Sequence, residues 1–193
     1  MEARERRLNH TSTVKGFKRD SKIEKNGKLN LPRNFMIQQV PDLRVNPSDE
    51  TILLGPLAIR FLITGQHSTG SIAAFELTVP GAQRLTAPAH SHDHYEETIY
   101  GIDGVLTWTV GGKQIDVGPG QALCIPRGAV HRFDNNRTQD AKALCVITPA
   151  AIGPQYFRDA AEVIRSAAGG PPDRAKMEEV MRLHGLTPAP IPS

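Results

Sequence analysis

The sequence is sparing in three things: it has two cysteines in 193 residues, aromatic side chains make up 5%, and no stretch reaches the ~18 consecutive apolar residues of a membrane span. Two cysteines cannot build the disulfide framework of a small secreted domain. Cys124 and Cys145 both sit in apolar, strand-like runs and read as reduced, buried small side chains. The opening basic stretch contains Glu2 and Glu5 and no apolar core of signal-peptide type, which argues against a secretory or organellar leader. The expected compartment is the cytoplasm, with no membrane partner. What the chain has instead is 17 glycines and 15 prolines among 39% hydrophobic residues, a composition of many turns joining thin aliphatic strands.

The formal charge of +3 would by itself suggest an anionic partner, but its distribution matters more. Residues 1–35 hold 10 Lys or Arg against 4 Asp or Glu, a net +6, and the remainder holds 13 against 16, a net −3. The first 35 residues are polar, basic and free of periodicity, as expected of a disordered basic arm that cannot offset its ordering entropy by burial. An alternative is that Met36 is the biological start. Nucleic acid is therefore not an expected partner of the folded part.

Residues 36–150 read as an all-β barrel domain and 151–193 as a C-terminal helical extension. Expected strands cover 57–64, 71–79, 97–102, 105–110, 114–117, 122–125, 130–133 and 143–148, bounded by Gly, Pro, Asn and Asp. Asp103-Gly104 and Gly111-Gly112 are expected hairpin turns on either side of the single Trp, Trp108. In the extension, Phe157, Ala160, Ala161, Ile164, Ala167 and Ala168 form an apolar helical stripe stopped by Gly169-Gly170. A second helix runs from an Asp173 cap through Met177, Val180, Met181 and His184 to Gly185. Both helices are expected to pack on the barrel exterior, leaving function to the strands.

The segment with chemistry in it is Pro88-Ala89-His90-Ser91-His92-Asp93-His94-Tyr95-Glu96-Glu97. Side chains two apart on a strand share a face, so His90 and His92, about 6.6 Å apart at Cα, can converge on one cation. Strand alternation continues that face to His94, which could be a fourth imidazole ligand, a proton shuttle or a rim residue. Counted from His92, the same alternation favours Glu96 over Glu97. Tyr95, Tyr100 and Trp108 could line a pocket but read better as core, and Arg127 reads better as a surface charge than as a substrate anchor.

Downstream, Gly120, Pro126, Gly128, His131 and Asn135 stand at the spacing Gly, five residues, Pro, one, Gly, two, His, three, Asn. Here the chain resembles the cupin superfamily of small β-barrels, at all five fixed positions of that family's second motif. The first motif is met by His90, His92, Glu97 and Gly104, with Arg84 standing where the family has a leading glycine. The resemblance covers roughly residues 57–148. It implies a jelly-roll barrel, a metal set of His90, His92, Glu97 and His131, and selection of Glu97 over Glu96 because only Glu97 has Gly104 seven positions on.

Three imidazoles and a carboxylate suit one divalent transition metal, Fe, Mn, Ni, Co or Zn, with positions left open for a substrate or dioxygen. Imidazole binds metal only when deprotonated, so metal release is expected below about pH 6. The resemblance implies a quercetinase-like, metal-dependent dioxygenase acting on a small organic substrate, with Glu97 as base; His94 is a candidate shuttle only from its place on the strand. Competing readings are a non-oxidative isomerase or decarboxylase, and a non-catalytic binding or regulatory protein. A homodimer formed through strand edges is a further expectation.

Overall fold

Burial alternates residue by residue along the longest strands, so each presents one face inward. The computed structural model describes residues 50–82 and 89–189, and the expected basic arm, Met36 and Arg84 lie outside them. The strands are β1 (Thr51–Leu54), β2 (Leu57–Ile63), β3 (Ala73–Val79), β4 (His90–His92), β5 (Glu96–Asp103), β6 (Leu106–Val110), β7 (Lys113–Val117), β8 (Ala122–Ile125), β9 (His131–Asp134) and β10 (Ala141–Thr148). Helices α1 (Pro154–Ser166) and α2 (Arg174–Leu183) follow, then a short strand β11 (Leu186–Pro188).

Two antiparallel sheets result, one ordered β1-β2-β3-β10-β5-β8 and the other β11-β4-β9-β6-β7. Ile59, Phe75, Leu77, Ile99 and Cys145 from the first and Leu106, Trp108 and Leu186 from the second join one buried cluster. This is the expected all-β jelly-roll with C-terminal helices. The eight expected strands are all present with small shifts at their ends; β1, β4 and β11 are additions.

Gly111 and Gly112, at φ +54° and +81°, form a two-residue hairpin loop between Val110 and Lys113, as the Gly-Gly pair predicts. Asp103-Gly104 differs from expectation, because it carries the chain from β5 in one sheet to β6 in the other and closes no hairpin. Gly104 is nonetheless fixed by geometry. Its φ is +63°, and a Cβ there would lie 2.4 Å from the Asp140 carbonyl oxygen.

The C-terminal segment packs more deeply than expected. Phe157 of α1 is buried and meets Phe61 and Phe75 with ring centroids 5.7 and 5.2 Å apart, so the helix packs into the core and not onto the barrel exterior. Val163 takes a buried place beside Phe157 and Ala160, whereas Ala168 of the expected stripe is exposed. In α2 the expected cap is present, the Asp173 carboxylate accepting from the Lys176 N–H at 3.2 Å, and Met177 and Met181 are buried. Gly185 then turns the chain back at φ +77°, and β11 enters the second sheet beside β4.

Two further expectations fail for one reason, that an apolar run on a strand need not be buried on both faces of its sheet. Cys124 is exposed on β8, the last strand of its sheet, and Tyr100 is 45% exposed on the outer face of β5. Cys145, on a central strand, is fully buried as expected.

Candidate metal centre

β4 and β9 meet at one pair, His90 opposite His131, and this register brings the two sequence motifs together. The ring centroids of His90, His92 and His131 lie 4.5–4.9 Å apart, and one nitrogen from each lies within 4.8 Å of the others. His92 and His131 are each 2% exposed. Glu97, on β5 of the opposite sheet, is buried and points at the same place, with Oε2 3.4 Å from His131 Nε2 and 3.9 Å from His92 Nδ1.

The protonation of His131 follows from its neighbours. Its Nδ1 lies 2.9 Å from the Ala129 carbonyl, which can only accept, so the neutral ring carries its proton there and a lone pair on Nε2. Nε2 is buried without a hydrogen-bond partner. A lone pair and a carboxylate oxygen at 3.4 Å repel each other unless a proton or a metal ion lies between them. The donor set therefore fits a bound metal ion, which would satisfy both.

Burial, reinforced by His90 and His131, pulls His92 from the ordinary imidazole value of 6.5 down to about 2. Its neutral form is held ready for a metal, and His92 is not where protons compete near pH 6. Between those two values the unfolded chain takes up a proton at His92 that the folded chain refuses. Metal-free protein should therefore lose stability as pH falls below 6.5, by at most about 1.4 kcal/mol per unit. Denaturant melts in chelator at several pH values should show this slope, and His92→Asn should flatten it; an unchanged slope would put the acid sensitivity elsewhere.

Of the two glutamates, Glu97 is the one that faces the histidines. Residues 93–95 form a bend between β4 and β5, which resets the parity of the strand, so Glu96 points outward and sits 3.6 Å from Arg127. The same bend removes His94 from the face of His90 and His92. It is exposed and absent from the cavity lining. Arg127 is half exposed, as expected of a surface charge.

The four site residues open on a cavity of about 110 Å³ with mainly apolar walls. Leu57, Ile59, Phe75 and Leu77 come from the first sheet, and Ile152, Tyr156, Phe157 and Leu186 from the C-terminal segment. Trp108 is both core and wall, 1% exposed, with its ring 6.3 Å from that of His131. Tyr95 is buried against His92, rings stacked at 4.2 Å.

Several of these were not found in the sequence. Cys145 faces Glu97, and its thiol is pushed well up by burial, then by the carboxylate charge and a hydrogen bond to it. The phenols of Tyr95 and Tyr156 are raised by burial first and Glu97 second, so both remain protonated donors. Arg132, the one cation in the lining, follows His131 directly, and strict alternation would turn it away. Cys145 and Tyr156 are brought to Glu97 by the pairing and packing of elements distant in sequence, which no short-range pattern encodes.

Comparison with known proteins agrees with this geometry. The Cupin_2 family, described as a cupin domain, matches residues 76–147. Quercetin 2,3-dioxygenase of Bacillus subtilis is 26% identical over 121 residues, 62% of this chain but 34% of that protein. The tetracenomycin polyketide synthase protein TcmJ of Streptomyces glaucescens is 27% identical over 58% of this chain and 75% of its own. Among solved structures, the cupin domain of Schizosaccharomyces pombe Cnp3 aligns with a TM-score of 0.46 and 16% identity, covering 53% of this chain and 70% of that one. Among the described residues no helix is long and apolar enough to cross a membrane. With both motifs converging on one buried cluster inside two facing antiparallel sheets, residues 76–147 make up a cupin domain.

Proposed function

We propose that this cupin binds one divalent transition metal through His90, His92, His131 and Glu97 and is a dioxygenase for a compact phenolic or enolisable substrate. The observation behind this reading is the cavity: its polar groups are concentrated at the three histidines and Glu97, and the rest of its wall is mainly apolar. An uncharged ring loses little by entering such a space. The volume of about 110 Å³ is below the ~300 Å³ at which sites for drug-sized ligands begin, which favours a compact ring. The names of the relatives, a quercetin dioxygenase and a polyketide synthase protein, are in keeping with phenolic chemistry.

A bound ion would supply Lewis acidity and, where redox-active, electron transfer towards dioxygen. The chain supplies the rest. Glu97 is placed to take the proton of a substrate hydroxyl, and the Cys145 thiol, by donating to that carboxylate, holds its orientation. Tyr156, kept protonated, can donate to a substrate oxygen, while Phe157, Ile152 and Leu186 keep bulk water out. His94 has no step in this scheme.

The test is dissolved-oxygen consumption by metal-loaded protein offered a panel of flavonols, phenols and 1,3-dicarbonyl compounds. One dioxygen should be consumed per substrate converted, with both oxygen atoms entering product, and Glu97→Gln should lower the rate by about a hundredfold or more. Turnover that proceeds equally well without oxygen would point to an isomerase or decarboxylase. Tight binding with no turnover would point to a binding protein.

A further inference from the structure

β4 is three residues long and carries two of the three histidines, yet β9 holds it at a single pair, His90 with His131. The Gly128 N–H adds one bond on that side, donating to the His92 carbonyl at 2.9 Å. On the other side β4 is paired along its whole length by β11: Leu186 with His92, Thr187 with Ser91 and Pro188 with His90. The Ala189 N–H extends the ladder by donating to the Ala89 carbonyl at 2.7 Å, and Thr187 Oγ1 donates to the Asp93 carboxylate at 2.8 Å.

Hydrogen-bonded and non-hydrogen-bonded pairs alternate along an antiparallel ladder. The bond between Ala189 and Ala89 makes Thr187 with Ser91 the next hydrogen-bonded pair, and puts both histidine pairs in the other class. Pro188 thus gives up no ladder bond for its missing N–H. It is also in this class that facing side chains stand closest, so Leu186 and Pro188 lie directly across from His92 and His90 on a shared face. Leu186 is 2% exposed and lines the cavity with both histidines.

We propose that β11 is a positioning element of the metal centre, with Leu186 and Pro188 setting the orientation of the His92 and His90 rings. Metal affinity then depends on a strand that lies outside residues 76–147, the part matched by the cupin family. This inference rests on the metal-binding reading above. A ligand ring must be held within roughly 10–20° of its productive angle, and loss of a neighbour that orients it typically weakens metal binding 10–100-fold.

The experiment is a Co(II) titration followed by visible absorption, on the full chain and on Leu186→Ala, Leu186→Met and Thr187→Pro. Each variant is measured well below its own metal-free melting temperature, so a purely structural role would lower the melt and leave the dissociation constant and absorption band alone. We expect Leu186→Ala and Thr187→Pro each to weaken Co(II) binding by about tenfold or more and to shift the band, and Leu186→Met to restore both. Should Thr187→Pro fail to fold, the Leu186 pair decides. Wild-type affinity and spectrum in Leu186→Ala would overturn the role of β11 alone, whereas a wild type that binds no Co(II) would overturn the metal reading and this inference with it.

Discussion

Alanine in place of His131 is expected to abolish stoichiometric metal binding while leaving the metal-free fold nearly as stable as before. The loss of affinity follows from the loss of a donor whose lone pair is already fixed by the bond from Nδ1 to Ala129 and has no other partner. Affinity should fall by at least about a hundredfold, beyond what removing an orienting neighbour costs. Stability is set by two opposed terms. Deleting the ring leaves a cavity beside Trp108, His90 and His92, which destabilises. It also removes a buried acceptor held 3.4 Å from the Glu97 carboxylate, which stabilises the metal-free state. The melt should therefore shift by no more than about 1 kcal/mol. Elemental analysis after metal supplementation checks the first part: close to one ion per wild-type chain, and little in the variant. A wild type without stoichiometric metal would remove the basis for any metal-dependent activity.

The site was legible where its geometry is local or its spacing distinctive. His90 and His92 share a face because strands alternate, and His131 lies at a fixed offset from Gly128, whose N–H binds the His92 carbonyl and so ties one motif to the other. Alternation misled where the strand broke. The bend at 93–95 moved Glu97 inward and His94 outward, and only the register to Gly104 anticipated the first of these. The cavity wall was illegible for a different reason. Leu186 reaches His92 across 94 positions of sequence, and Tyr156 reaches Glu97 across 59, through pairings and packing that no window of sequence contains. The helices were recognisable as amphipathic, but an apolar stripe does not say whether it faces the inside or the outside of a barrel.

Motif residues also divide into those that do chemistry and those that hold the chain in shape, and Asn135 shows the difference. It is fully buried at the end of β9, donating from Nδ2 to the Val79 carbonyl at 3.0 Å and the Gln139 carbonyl at 2.8 Å, while Oδ1 accepts from the Arg137 N–H at 3.0 Å. One side chain thus joins the end of β3 to both sides of the turn before β10, and it is absent from the cavity lining. Asn135→Ala should leave two carbonyls and one N–H without these partners, at a cost of about 3 kcal/mol. Asn135→Asp should be at least as damaging, since it keeps the bond from Arg137 but places a charged oxygen against two carbonyl oxygens. Urea denaturation of the metal-free variants measures the cost, and metal content per folded chain should stay near that of the wild type. His131→Ala is expected to show the opposite pattern, affinity lost and stability kept. If Asn135→Ala instead loses metal without losing stability, the division drawn here between the two motif residues is wrong.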